Sequence, residues 1–383
     1  MTGSIPAVLA TAALFLLILP GVGAFGVRRR WRKFRKQVLL ASLSPPLTYA
    51  TLHSPSAAPG RSTVRLIGSL ESIQGEQTLW IRGTDISVAA DMSRSDVYVV
   101  STQGPREEDT VPMRTSWNRL GSLPEGARVL VCGTLDTDGK HPFLRAPRGG
   151  SLAAVFFDGP AETLVRRSIW SGRQANEYWN SFTPSSLAGA TLSLLLWAYI
   201  LVQQGSARVA VQVAVALASV PLLPLLPPAV AFFYLYRVLW RRGRRYRALR
   251  DVVSLAERFP GDTGECGELP GGGRYCRWRI SEREARALED AGIYRVPLPP
   301  HLRSDAVYLY GNPDIRSCGE VSDSSAGSRD ALAEPIILDG ECLPVVSACQ
   351  RRAKLLEFAS TLIFLTGLAV NFLIVLFLLG LVL

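Results

Sequence analysis

Histidine is scarce in this chain, which has three histidines in 383 residues, at His53, His141 and His301. A catalytic triad, a Cys-His pair or a histidine-rich metal centre needs histidine beside a carboxylate or a thiol, and no motif here supplies that arrangement. We interpret all three as residues of solvated loops.

The cysteines lack the spacing of a metal or redox centre. Five of the six lie towards the C-terminus, at Cys266, Cys276, Cys318, Cys342 and Cys349, and no CxxC pair occurs. Zinc and iron–sulfur sites usually present two thiolates from one turn. We therefore favour reduced thiols in a cytoplasmic region, whereas disulfides would be expected if this region lay outside.

Nucleotide-binding loops are also missing. The run Gly271–Arg274 has neither the Lys-Ser/Thr of a P-loop nor the glycine spacing of a dinucleotide fold. The sequence thus predicts no cofactor, no metal, no catalytic residue and no enzymatic activity.

Positive charge is concentrated in three short windows. The chain carries 42 basic and 32 acidic residues, a net charge of +10. Seventeen basic residues and no acid lie in Arg28–Lys36, Arg237–Arg250 and Arg351–Lys354, so the rest of the chain carries −7. Each window adjoins an uncharged apolar run, which is typical of a membrane protein and makes nucleic acid an unlikely partner.

The apolar runs predict four transmembrane helices, over residues 5–27, 187–202, 209–236 and 355–383. The first run contains no charge, and a helix of its length crosses a hydrocarbon core of roughly 30 Å. Val22-Gly23-Ala24 resembles a signal-peptide cleavage site, but nothing before Arg28 is basic, so we favour an uncleaved anchor.

The third run is interrupted by Pro221, Pro224, Pro227 and Pro228. An interior proline removes a backbone hydrogen bond at a cost of about 3 kcal/mol, so one straight helix through all four is excluded. Either the span is kinked, or it ends near Leu226 and a new helix starts with Pro228 in its first turn.

The three basic windows agree on one orientation. Alternating spans place all three on the same side of the membrane, and the positive-inside rule makes that side the cytoplasm. We therefore predict a multi-pass protein of the cell membrane with its N-terminus outside and both soluble regions cytoplasmic.

The predicted fold class is an α+β membrane protein. Between its helices we assign a basic juxtamembrane segment with a Pro-rich linker (28–61), a β-rich domain (62–160), an amphipathic connector (161–184), a basic juxtamembrane helix (237–258) and a small α+β module (259–350). Strands are expected at 62–73, 77–81, 96–102, 128–135 and 152–157, with turns at Gln74-Gly75 and Asp138-Gly139. This pattern predicts a small barrel or sandwich, and Leu123–Leu135 resembles the strand entries of OB-like barrels.

The second soluble region mixes both kinds of element. Strands are expected at 274–280, 306–310 and 335–338. A helix should start at Ser281, with a capping box completed by Glu284, and stop at Gly292. Residues 317–330 are rich in Ser, Gly and Asp and are predicted to be disordered.

Two sets of residues are candidate sites. Basic side chains beside the spans are expected to set topology and to contact anionic lipid headgroups. They are Arg28, Arg29, Arg30, Arg32, Lys33, Arg35, Lys36, Arg241, Arg242, Arg244 and Arg245. Within the fourth span, Gly367 and Asn371 are expected to pack and hydrogen bond against another helix.

These observations favour a non-enzymatic scaffold at the cytoplasmic face of the membrane that binds a protein partner or a second copy. A transport or export component with the Pro-broken helix along its pathway is one alternative. A Cys-dependent membrane enzyme or redox protein is another.

Overall fold

The structure is a computed structural model that describes residues 4–52, 63–101, 112–120, 123–136, 142–173, 177–205, 208–259, 266–270, 273–312 and 330–382. Its α-helices are α1 Ser4–Ala12, α2 Leu19–Leu43, α3 Tyr49–Leu52, α4 Leu164–Trp170, α5 Phe182–Gln203, α6 Arg208–Ala218, α7 Ala229–Val253, α8 Glu282–Asp290 and α9 Cys342–Val382. A π-helical segment, Ala13–Ile18, joins α1 to α2. The predicted turn at Asp138-Gly139, His53, His141, Cys318 and residues 317–329 lie outside the described residues.

The strands form two sheets. They are β1 Thr63–Gln74, β2 Thr78–Arg82, β3 Ser87–Asp91, β4 Ser95–Val100, β5 Met113–Thr115, β6 Arg128–Asp136, β7 Phe143–Arg145, β8 Leu152–Phe157, β9 Cys266–Glu268, β10 Arg274–Ile280, β11 Tyr294–Arg295, β12 Val307–Gly311 and β13 Ile336–Leu338. The expected strands are confirmed by β1, β2, β4, β6, β8, β10, β12 and β13. The missed strands β3, β5, β7, β9 and β11 are short, and β3 is built mainly of Ala, Ser and Asp, which carry little strand signal.

The chain divides into two compact units. The helical unit comprises residues 1–33, 174–247 and 350–383, and the strand-rich unit comprises residues 34–173 and 248–349. Both soluble regions thus contribute to one unit, although more than 70 residues of the helical unit separate them in sequence.

A five-stranded barrel forms the core of the strand-rich unit. Its order is β1-β2-β3-β7-β6, and β6 closes it by pairing back to β1. All neighbours are antiparallel except β3 and β7. Strand β1 closes the barrel because Gly68 lets it approach β2: a Cβ there would lie 2.3 Å from the Arg82 carbonyl oxygen. Leu79, Ile81 and Val88 are among the fully buried side chains of the interior.

Strands β8, β4 and β5 extend the barrel sheet beyond β6. The second sheet has the order β11-β13-β12-β10-β9 and carries α8 against a small core around Leu309 and Ile337. The predicted capping box is confirmed: Ser281 and Glu284 bond reciprocally at the start of α8. The helix ends before Gly292, which has a φ of 90°.

In the helical unit, successive segments run antiparallel. Trp197 on α5 donates to Thr11 on α1 at 3.2 Å, and Thr191 on α5 donates to the Ala218 carbonyl at the end of α6 at 3.1 Å. A Cβ at Gly189, nearer the start of α5, would lie 3.0 Å from the Phe15 ring, so α5 meets the first helical segment in antiparallel order at both positions. Three helices, Ile5–Leu43, Phe182–Gln203 and Cys342–Val382, are long and apolar enough to cross a membrane.

The prolines interrupt the helix of the third apolar run. Helix α6 stops at Ala218, a 3₁₀ turn covers Leu223–Leu225, and α7 begins at Ala229 directly after Pro228. The start of a new helix directly after Pro228 is as expected for the second arrangement, but the first helix ends at Ala218 rather than near Leu226. Helix α7 continues through the basic window because no residue after Pro228 interrupts its backbone bonds.

Candidate functional site

A buried carboxylate organises the basic residues of the helical unit. Glu177, just before α5, accepts a bond from Arg28 Nε on α2 at 3.1 Å and also pairs with Arg244 on α7. The Arg244 guanidinium lies 4.8 Å from the centre of the Trp240 ring, whose neighbour Tyr178 follows Glu177. Sequence reasoning missed Glu177 because a single acid in a connector carries no pattern.

The remaining candidates for lipid contact differ in exposure. Arg244 is buried, and Arg28 and Arg35 are half-buried. The exposed members are Arg29, Arg30, Arg32, Lys33, Lys36, Arg241, Arg242 and Arg245. Lipid contact by this set stays a prediction, and the two members bound to Glu177 have a role in joining helices.

Asn371 on α9 contacts the proline-broken segment. Its side-chain nitrogen donates to the carbonyl oxygens of Leu223 at 2.8 Å and Leu226 at 2.9 Å. In a continuous helix the Leu223 carbonyl would accept from the nitrogen of residue 227, but Pro227 has no N–H. The Leu223 carbonyl accepts from Leu226 N at 3.3 Å instead, and the amide of Asn371 adds a second donor to it.

Gly367, one turn before Asn371, allows α9 to approach α7. A Cβ at Gly367 would lie 2.6 Å from Cβ of Phe232. Further along the same pair of helices, Phe364 packs on Tyr236 with ring centres 5.0 Å apart, and Glu357 pairs with Arg247. Helices α7 and α9 therefore run antiparallel in continuous contact.

The outer face of the barrel carries a row of aromatic side chains. Trp80 on β2 is paired with Ala89 on β3, which is paired with Phe143 on β7. Because paired residues project on the same side of a sheet, the two half-buried rings flank an alanine that is fully buried. Arg145 lies 5.5 Å from the Phe143 ring centre and pairs with Asp136 at 2.5 Å.

Buried ion pairs join the barrel to the second soluble region within the strand-rich unit. Arg65 on β1 has 1% exposure and pairs with Asp330. Arg166 on α4 binds Glu334 through both nitrogens, Nε at 3.3 Å and Nη2 at 3.0 Å, and its guanidinium lies 3.6 Å from the Tyr294 ring centre. These contacts hold together two parts of the sequence that we assigned to separate modules.

The cysteines depart from the sequence interpretation. Cys266 and Cys276 face each other on the antiparallel strands β9 and β10 and form a disulfide, so the expectation of reduced thiols is wrong for this pair. The strand pairing brings them together, which nine intervening residues do not reveal. Cys132, Cys342 and Cys349 are free and buried, and burial raises the pKa of the Cys132 thiol.

No three metal-ligating side chains gather among the described residues. The structure thus defines a mixed α/β protein with a five-stranded barrel and three helices apolar enough to cross a membrane. Comparison with protein-family models, with curated proteins and with solved structures finds no match.

Proposed function

We propose that this protein is a non-enzymatic scaffold of the cell membrane, with four spans, whose strand-rich unit binds a protein partner at the cytoplasmic face. The observation that carries the proposal is the position of the charges in the helical unit. Ion pairs of Glu177 with Arg28 and Arg244, and of Glu357 with Arg247, bring the charged ends of all four helical segments together.

The alignment of α6 and α7 with α9 supports the broken third apolar run as a span, which brings the number of spans to four. Arg208, at the start of α6, lies 3.5 Å from the Gly380 carbonyl, and Arg247 pairs with Glu357. The stretch of α9 between these contacts is about 35 Å long at ~1.5 Å per residue, which matches a bilayer core of roughly 30 Å. The broken third run covers that same length, so its proline break does not shorten it as a span.

The orientation that we propose follows from the unequal charge at the two ends of the helical segments. Arg208 is the one charged residue among the described residues near the outer end, whereas all three basic windows begin near the other. The Cys266–Cys276 disulfide argues the opposite way, since stable disulfides are typical of oxidising compartments. We give the basic windows more weight because three independent clusters agree.

The partner-binding surface that we propose is the row Trp80, Ala89 and Phe143. The barrel is OB-like in our interpretation, and its single parallel pair between β3 and β7 supports a Greek-key closure. OB-folds bind their ligands on the face of the second and third strands, where Trp80 and Ala89 lie. The negative charge of the chain outside the basic windows favours a protein ligand over nucleic acid.

Site-directed crosslinking in intact membranes tests the surface. A photoreactive residue at Thr78, beside Trp80 on the same strand, should capture a discrete partner. Trp80→Ser and Phe143→Ser should each reduce the captured amount at least tenfold, since hot-spot aromatics cost 2 kcal/mol or more when truncated, roughly. Met113→Ser removes another exposed apolar side chain, on β5, and should leave capture unchanged. Equal capture by all three variants would remove the surface from the proposal.

Reporter fusions test the orientation. Fusions after residues 180 and 300 should report the cytoplasm, and a fusion after residue 206 should report the outside. An outside signal at 300 would reverse the proposed orientation. The disulfide would then lie in an oxidising compartment, where it would be a permanent structural bond.

A further inference from the structure

Arg258 has no ion-pair partner in the part of the chain that the structure describes. It lies just after α7 in the strand-rich unit, and its Nε and Nη2 atoms are buried with no hydrogen-bond partner. Its neighbours are aromatic: its guanidinium carbon is 4.9 Å from the ring centre of Phe259 and 5.9 Å from that of Tyr275. Among the described residues it forms no ion pair.

The nearby carboxylates already form ion pairs with other arginines. Glu334 and Asp330 are the acidic groups that act on Arg258, but Glu334 binds Arg166 and Asp330 pairs with Arg65. Tyr275 donates its hydroxyl to the Glu334 carbonyl oxygen at 3.3 Å, so that hydroxyl offers Arg258 no charge either. Counted over the described residues, the cluster thus holds three guanidinium groups against two carboxylates.

An unpaired buried cation is costly in a folded protein. Desolvation lowers the pKa of Arg258, which shows that its surroundings disfavour the charged form. Stacking on two rings recovers part of that cost. The side chain as a whole is half-buried, and Nη1, which is not buried like the other two nitrogens, is the route by which a ligand can reach the guanidinium.

We infer that Arg258 is the receptor of an oxyanion-binding site that takes a phosphate group. Nη1 can bind a phosphate oxygen through a charge-assisted hydrogen bond, and one such anion supplies the negative charge that the described part of the cluster lacks. The same chemistry is offered by inorganic phosphate and by an anionic phospholipid headgroup. The site is independent of the aromatic face on the barrel, so either proposal can fail without the other.

The test uses the full chain in an uncharged detergent, with labelled inorganic phosphate in equilibrium dialysis. We expect about one saturable phosphate per chain. Arg258→Met should weaken binding by about 10- to 150-fold, the equivalent of a lost charge-assisted hydrogen bond. Arg279→Met, which removes an exposed arginine on β10, is the matched control and should bind like the unaltered protein.

Thermal unfolding supplies a second readout that a purely structural arginine would not produce. Without phosphate, Arg258→Met should unfold at the same temperature as the unaltered protein or higher, because an uncompensated buried charge is removed. Phosphate should raise the Tm of the unaltered protein and of Arg279→Met, but not that of Arg258→Met. Arg258→Lys keeps the charge and should retain weakened binding, which guards against a variant that fails to fold.

A further experiment with lipid vesicles distinguishes inorganic phosphate from a phospholipid headgroup as the ligand. If the ligand is a headgroup, vesicles containing phosphatidylglycerol should raise the Tm relative to phosphatidylcholine vesicles, and Arg258→Met should abolish the difference. Equal phosphate affinity in the unaltered protein and Arg258→Met would overturn the proposal. So would a lower Tm of Arg258→Met combined with no effect of phosphate or phosphatidylglycerol on the unaltered protein.

Discussion

Asn371→Leu is the sharpest test of how α9 is held in the helical unit. The substitution keeps the branching and the number of heavy atoms of the side chain and removes both bonds to the broken segment, at Leu223 and Leu226. Leucine fits an apolar helix, so α9 itself should form as before. The measured change therefore reports the contact between helices.

The expected cost follows from the two bonds. Side-chain hydrogen bonds between membrane helices contribute about 0.6 kcal/mol on average and up to about 1.7, so two of them amount to about 1–3 kcal/mol. Each carbonyl keeps a backbone donor, Leu226 N to Leu223 O at 3.3 Å and Val230 N to Leu226 O at 3.1 Å. The decrease in the free energy of unfolding should therefore lie in the lower half of that range, at about 1–2 kcal/mol.

The assay is unfolding of the full chain in mixed detergent micelles, followed by circular dichroism. Thr366→Val is the control, because the Thr366 hydroxyl bonds only to Leu362 in its own helix at 2.9 Å. It should change the free energy of unfolding by less than about 0.5 kcal/mol. If Asn371→Leu is as stable as Thr366→Val, the amide does not compensate for the proline break and the reasoning is refuted.

Three further predictions address packing, charge and thiol chemistry. Gly367→Ala should destabilise by about 1–3 kcal/mol because its Cβ would meet Phe232, whereas Gly380→Ala, with nothing within 4 Å, should be neutral or stabilising in the same unfolding assay. Arg166→Met should cost about 1.5–3 kcal/mol, because Glu334 loses its charge-assisted bonds to Arg166 while Arg258 stays near it; unchanged stability of this variant would contradict a stabilising ion pair. Because burial raises the pKa of Cys132, a maleimide should label it far more slowly than an unfolded cysteine at neutral pH, and its labelling rate should keep rising above pH 9.0, where the rate of the unfolded chain levels off. Labelling at the same rate in both states would show that the thiol is accessible.

Local structure could be predicted where the sequence pattern is strong. The capping box of α8 needs only Ser281 and Glu284 three residues apart, and the turn after β1 needs Gly75, whose φ is 62°. Both were predictable because the physics involves neighbours in the chain. Strand β7 was not predictable, since three residues become a strand only by closing the barrel between β3 and β6.

The candidate sites also divide into residues that the sequence could predict and residues that it could not. Asn371 stood out because a polar residue inside an apolar run is unusual and needs a partner, although the partner itself, the carbonyls of a broken segment, could not be read from the chain. Glu177, Arg166 and Arg258 gave no signal. Their significance depends on which opposite charges lie nearby, and those come from residues up to 168 positions away.

By itself, the sequence determined where the apolar runs, the helix breaks and the basic windows lie, because hydrophobicity, proline chemistry and charge are properties of the residues themselves. Only the tertiary structure decided that the two soluble regions form one unit, that Cys266 and Cys276 meet, and that Arg258 has no ion-pair partner among the residues described. Each of these depends on contacts between distant segments, whose free energy is set by burial and geometry rather than by spacing along the chain.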